Sequence, residues 1–514
     1  MLATIQSGAV LGVDAYPVHV EVDLGRGMMV FSTVGLPSSA VSEAKTRVKS
    51  ALVNSKLNFP QRRVVVNLAP AHIKKEGTAF DLPIALGILM ANQQIPNCSL
   101  QDTLVIGELS LDGRLRAVRA VLPLAAWAQK NRIKRILVPE ENGEEAGAVL
   151  GIEVWIAKDL NEVVQVTLGQ QEPRIITSCQ SDQFTKTVST TVIDLEDVKG
   201  QMGARRALEI AAAGGHNMLM LGPPGSGKTM LARRLPTIAP PLSFDERLES
   251  SIIASVAGIL KPQEPLLTER PFRSPHHTLS QVALAGGGPK CRPGEVSLAH
   301  NGVLFLDELP EFKRAALEVL RQPLEDGEIV IARAAHSLLY PARFTLIAAM
   351  NPCPCGYYGS PQRDCHCTTQ QIRHYLQKIS GPLLDRIDLQ ISVEAVDPKN
   401  LRQQQKGESS AVVRERVVQA RKIQQLRLSQ STIHSNGQLR AHELRLFCAL
   451  GEDAELLFTQ AIDRLKLSAR AHDRILKVAR TIADLDQSQN IEAVHIAEAI
   501  QYRQLDRIWT QGVA

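Results

Sequence analysis

No apolar stretch in the 514-residue chain approaches the roughly 18 residues that a membrane-spanning helix needs. The opening residues, Met1-Leu2-Ala3-Thr4-Ile5-Gln6, lack the basic stretch of a secretory signal, and none is read there. A disulfide framework is missing as well. Of the eight cysteines, Cys98, Cys179, Cys291 and Cys448 are scattered, and the other four crowd into residues 353–367. That distribution suits a reducing, cytoplasmic setting. Nor is there a strong charge of one sign: a net charge of +5 is small for this length. It permits a nucleic-acid partner without arguing for one. The remainder is ordinary for a globular chain, 44% apolar and 22% charged, with length for about two to four domains.

The organising stretch is Gly222-Pro223-Pro224-Gly225-Ser226-Gly227-Lys228-Thr229. It follows an apolar run, Asn217 to Leu221, and precedes a helix-compatible run, Met230 to Arg234. Strand, glycine-rich loop and helix with the spacing G-x-x-x-x-G-K-[ST] make a nucleoside-triphosphate cradle. The glycines let backbone N–H groups close around phosphate oxygens. Lys228 reaches the β- and γ-phosphates, and Thr229 holds Mg²⁺. The cofactors expected are therefore ATP and Mg²⁺.

A second nucleotide signature is the apolar run Gly302 to Leu306 ending in Asp307 and Glu308, the pattern of a buried parallel strand. Asp307 is suited to orient the water shell of Mg²⁺, and Glu308 to polarise the attacking water. Phe344 to Met350 reads as a further buried strand with Asn351 at its tip. That Asn resembles the sensor 1 position of AAA+ proteins, a turn Asn before Pro352 being the plainer alternative. Val198 resembles the wall of the base pocket in the same proteins, with an ordinary core valine as the alternative. In Ser380 to Asp388, Arg386 is the candidate arginine finger and Arg373 the second choice. Arg470, at the start of a C-terminal helix, fits a sensor 2 arginine or an ordinary exposed one.

Cys353, Cys355, Cys365 and Cys367 form two C-x-C pairs nine residues apart. Four thiolates satisfy tetrahedral Zn²⁺ and leave no open position, so a metal here is structural; free thiols are the alternative. His366 or His374 can replace one thiolate. Residues 399–447 hold ten Lys/Arg against three Asp/Glu, a pattern more often a solvated face than a binding surface.

The expected fold class is multidomain α/β. Residues 1–168 form an α/β domain, 169–193 a polar linker, 194–398 a P-loop core with a parallel sheet, and 399–514 a small α-helical lid. In the first domain, Lys75 to Leu82, Gly107 to Arg114 and Ile136 to Asn142 are similar to the proteolytic domain of Lon-type proteases. That resemblance implies a Ser–Lys dyad, but its two positions are occupied by Ala79 and Leu122, which cannot supply nucleophile and base. The domain is read as Lon-protease-like without catalytic dyad. Ser38 and Ser39 are read as a helix N-cap.

Three further stretches, Arg270 to His277, Met350 to Gly356 and Asp473 to Asp484, resemble the magnesium-chelatase-like AAA+ ATPases of the ComM (YifB) type. The resemblance implies a homo-hexameric, cytoplasmic DNA helicase. Such a helicase promotes branch migration and integration of incoming DNA during natural transformation and homologous recombination. Its partners would be single-stranded and branched DNA, and possible recombination proteins. A hairpin tip with Arg333 and His336, and an insert bearing Arg273, His276, His277, Lys290 and Arg292, would meet DNA phosphates, which is sequence-independent contact. The rival readings are a magnesium-chelatase-type motor subunit and an ATP-dependent chaperone or scaffold without DNA unwinding.

Overall fold

The computed structural model describes residues 1–176, 193–261, 264–288, 291–332, 337–359, 363–394, 407–429, 431, 433–465, 468–503 and 505. The chain divides into two compact units. The first comprises Met1–Thr187 and Phe244–Thr268, the second Val188–Ser243 and Glu269–Ala514.

Alternation builds the first unit. Val18, Val20, Val22 and Leu24 point into the core while His19 and Asp23 face outward, which makes Asp14–Gly25 a half-buried strand. It pairs antiparallel with Leu2–Leu11 on one side and Arg63–Ala69 on the other. Phe31–Val34 completes this four-stranded sheet as a parallel edge strand. A second four-stranded sheet runs in the order Arg174–Ile176, Glu153–Ala157, Arg135–Pro139, Thr103–Val105. Helix Ser39–Asn54 buries Val41, Ala44, Val48 and Leu52 along one stripe, and the Ser38 side chain accepts from the Val41 N–H at its start.

Helix Asp81–Ala91 is buried along its whole length. An all-round apolar helix must be enclosed, and its one charge, Asp81, is 1% exposed and paired with Arg47 at 2.7 Å. Burial pushes the Asp81 carboxyl up, and the Arg47 guanidinium pulls it back. Leu122 sits in an apolar cluster with Val121 and Ala125, and Ala79 packs beside it.

Periodicity assigned all of 194–398 to one core, whereas Phe244–Thr268 belongs to the first unit. Helix Phe244–Ala257 lays Phe244, Leu248 and Ile252 against the Leu122 cluster. Ser255 Oγ donates to Glu145 Oε1, and the Leu267 N–H donates to Ser251 Oγ at 2.8 Å. The apolar stripe of that helix carries no mark of which core it joins, which is why sequence pattern missed it.

The second unit is organised by a five-stranded sheet in the order Phe272–Arg273, Val303–Leu306, Thr345–Met350, Met218–Leu221, Leu389–Ser392. All neighbouring pairs are parallel. Buried on both faces, these strands read as continuous apolar runs. Helices Met202–Gly214 and Lys228–Ile238 pack on it. The C-terminal part is helical, with Ser410–Arg427, Ala441–Phe447, Glu452–Leu465, Ala469–Leu485 and Ala493–Gln501. A buried polar network locks these helices to the sheet. His216 is fully buried; its Nδ1 lies 3.0 Å from Asp388 and its Nε2 2.7 Å from Thr481. Arg474 reaches Asp388 at 3.1 Å, and Arg427 pairs with the buried Asp484. Among the described residues, no helix is long and apolar enough to cross a membrane.

Replacing Arg47 by Met leaves Asp81 buried without its partner, a change that removes about 3 kcal/mol or more. Thermal unfolding of the full chain is expected to show the first unit's transition several degrees lower; an unmoved transition would contradict the pairing argument.

Candidate nucleotide site and thiol cluster

The register of three parallel strands assembles the site. The strand ending at Met350 lies between the P-loop strand and the acidic strand. Leu221 pairs with Met350 and Leu306 with Ala348. The loop after Leu221, the acids after Leu306 and Asn351 therefore emerge side by side at the carboxyl ends of the strands, where open α/β sheets place ligands.

The loop is shaped as a cradle. Gly225 and Gly227 have φ of +77° and +88°, left-handed values that favour glycine, and an added Cβ at Gly225 would meet open space. Pro223 and Pro224 lead into this turn, and Ser226 is buried beneath it. Gln201 Nε2 donates to the Ser226 carbonyl at 2.6 Å and braces the loop, a role that sequence pattern left unmarked. Lys228 is 8% exposed. Its Nζ donates to the carbonyls of Gly222 and Pro223 at 2.7 and 2.9 Å, and to Asn351 Oδ1 at 3.2 Å. Burial pushes its pKa down, and the nearby Asp307 and Glu308 hold it up. Thr229 Oγ1 donates to Asp307 Oδ2 at 2.7 Å. A hydroxyl and a carboxylate in contact beside a phosphate cradle are the donor set that hydrated Mg²⁺ requires.

Glu308 stands at φ +51° with its side chain 53% exposed, at the head of the short turn after the acidic strand. His277 Nδ1 lies 3.1 Å from Glu308 Oε2, and the His276 ring lies tilted against His277, centroids 4.1 Å apart. The histidine pair, read from sequence as part of a DNA-facing insert, thus lies against Glu308.

The remaining expected residues are dispersed. Val198 is 3% exposed and a member of the second unit's apolar core. Arg386 is 11% exposed, its guanidinium taken up by the Pro382 carbonyl at 2.7 Å and by Glu325. Arg373 is exposed on helix Thr369–Leu376. Arg470 is 64% exposed and pairs with Asp385, the neighbour of Arg386, at 3.1 Å. Arg273 is held in a two-point pair with Glu295 at 2.6 and 2.7 Å. Arg292 is exposed, whereas Lys290, Arg333 and His336 lie outside the described residues.

The four thiols of Cys353, Cys355, Cys365 and Cys367 converge, with their sulfurs all within 4.8 Å of one another. The Tyr358 and Cys367 N–H groups donate to sulfur at 3.3 and 3.4 Å, the bonding that stabilises metal-bound thiolates. Among the described residues neither His366 nor His374 joins this group. All-sulfur, closely spaced and closed, the donor set fits a structural Zn²⁺.

Three sequence families match the chain. "Subunit ChlI of Mg-chelatase" covers residues 20–142, "Magnesium chelatase, subunit ChlI" covers 194–401, and "Magnesium chelatase, subunit ChlI C-terminal" covers 407–503. Competence protein ComM of Haemophilus influenzae is 45% identical over 511 residues, which span 99% of this chain and 98% of that protein. The chain belongs to the magnesium-chelatase-like AAA+ family of ComM and YifB. YifB of Escherichia coli strain K12 is 44% identical over 510 residues, covering 99% of this chain and 98% of its own length. Lon protease 2 of Bacillus subtilis strain 168 is 25% identical over 202 residues, 37% of each chain.

If Thr229 and Asp307 share one Mg²⁺, Asp307→Ala raises the Mg²⁺ concentration for half-maximal ATP hydrolysis and lowers kcat about a hundredfold. Adding Thr229→Ala costs little more, because both changes remove the same ion's anchorage. A magnesium titration of the three variants reads this directly, and additive losses would separate the two residues.

Proposed function

We propose that the chain is an ATP-hydrolysing, ring-forming DNA motor that drives branch migration of incoming DNA during transformation. The observation that carries the reading is the contact set Lys228–Asn351 and Thr229–Asp307 at the P-loop. It joins a triphosphate cradle to a γ-phosphate sensor in a chain alike along its length to a competence protein.

Lys228 neutralises the β- and γ-phosphates, and Asn351 holds the γ-phosphate in register with it. Thr229 and Asp307 would hold Mg²⁺, which would supply charge neutralisation of the transferred phosphoryl group. Glu308 aligns the attacking water and draws on its proton, and Val198 borders the base. Arg386 reaches into the neighbouring subunit's site of a hexamer, leaving Glu325 and Pro382 to do so, and Arg470 acts beside it. Cys353, Cys355, Cys365 and Cys367 would hold a structural Zn²⁺. The hairpin carrying Arg333 and His336 grips DNA phosphates together with Lys290 and Arg292, while Arg273 must first exchange Glu295. A protein working within such a pathway is cytoplasmic and meets recombination proteins on single-stranded and branched DNA.

Three measurements test this. Purified full-length protein hydrolyses ATP faster with single-stranded or forked DNA and displaces a strand; hydrolysis unaffected by any DNA favours a chelatase-type motor or a scaffold. Arg333→Ala abolishes unwinding and keeps basal hydrolysis, and unchanged unwinding removes the hairpin from the DNA path. Arg386→Ala lowers kcat about a thousandfold, yet mixing it with Lys228→Ala protein restores part of the activity, because each supplies the other's missing half. No recovery on mixing would place Arg386 outside an intersubunit site.

A further inference from the structure

The thiol cluster is built into the wall of the nucleotide site. Only Pro352 separates Asn351 from the fully buried Cys353. Gly356, at φ +85°, lies against the P-loop so closely that an added Cβ would be 2.6 Å from Pro224 Cδ and 3.8 Å from Asn351 Cγ. At the other end, Cys367 runs straight into Thr368, whose capping box starts helix Thr369–Leu376. From that helix the buried Tyr375 brings its phenol near the Asn351 backbone, whose N–H offsets part of the rise that burial gives its pKa. Asn351 thus accepts from Lys228 and has the turn at Cys353 on one side and Tyr375 on the other.

Beyond the Gly356 N–H to Cys353 carbonyl bond at 3.0 Å, that turn is shaped by its sulfurs. The described residues between Asn351 and Thr368 contain no helix or strand. The side-chain contacts that join the two C-x-C pairs are sulfur to sulfur: Cys355 to Cys365 at 3.5 Å and Cys353 to Cys365 at 3.6 Å, with Cys353 to Cys355 at 3.3 Å within the first pair. Thiols are weak hydrogen-bond donors and acceptors, and thiolates repel one another. A soft divalent cation turns the same four sulfurs into a cross-link between the strand tip bearing Asn351 and the helix bearing Tyr375.

We propose that a divalent metal of the zinc class, held by Cys353, Cys355, Cys365 and Cys367, positions Asn351 against Lys228. Occupancy of the thiol site then sets the rate of ATP hydrolysis and leaves nucleotide binding largely intact. The inference rests on the ATPase reading above. Asn351 acts on the γ-phosphate, and the cysteines are positioning residues.

The test uses the full-length protein, with metal content, affinity for a fluorescent ADP and steady-state ATP hydrolysis measured together. Metal removal by a chelator is expected to lower kcat about tenfold or more, to change ADP affinity less than about threefold, and to be reversed by added Zn²⁺. Cys365→Ser loses the metal with the same kcat loss. Asn351→Ala reproduces that loss with the metal retained, and the double variant falls no further. Several outcomes overturn the proposal: protein that neither contains nor takes up the metal; unchanged kcat after verified metal loss; ADP affinity lost in step with kcat; or additive losses in the double variant. Should Cys365→Ser fail to fold, chelation and reloading of the unaltered protein decides alone. Metal-loaded protein that hydrolyses no ATP under any condition sinks the ATPase reading instead, a result distinct from all of these.

Discussion

Parallel strand register is the constraint on which the site depends. Because the Thr345–Met350 strand runs between the P-loop strand and the acidic strand, one residue, Asn351, is placed within reach of Lys228. Were the order of these strands different, the same motifs would be present without touching. The apolar character of the strands and the chemistry at their tips are therefore one design: burial on both faces holds the register, and the register converges the polar tips.

Burial also sets the electrostatics. Lys228 is desolvated and held between carbonyls and carboxylates, so its charge faces a low-dielectric cradle in which a phosphate interacts more strongly than in water. The first unit shows the opposite outcome of a similar economy. It buries the Asp81 carboxylate in an apolar core and pairs it with Arg47 at 2.7 Å.

Much of this was legible beforehand, for identifiable reasons. The P-loop, Asp307, Glu308 and Asn351 stand at the ends of unmixed apolar runs, where strand length and motif spacing fix position. The Ser38 cap was readable because capping is local. Non-local facts were not. Gln201 beneath the P-loop and His277 against Glu308 are brought there by tertiary packing, and no spacing rule relates residues so far apart. Arg273 read as a free phosphate ligand, whereas its two-point pairing with Glu295 needs a helix twenty-two residues later to be placed opposite it. Helix Phe244–Ala257 joined the other unit because an amphipathic stripe specifies that a face is buried and is silent on what covers it.

That helix bears on how the protein comes to be made. One of the first unit's two apolar clusters is completed by Phe244, Leu248 and Ile252, which leave the ribosome only after the P-loop has been synthesised, whereas the other is built wholly from the first part of the chain. Folding from the N-terminus, the usual order during synthesis, cannot finish one unit before the other begins. The nascent chain must carry an unfinished core past the point where the nucleotide cradle is already emerging, so the two units reach their native state as interleaved, rather than successive, events.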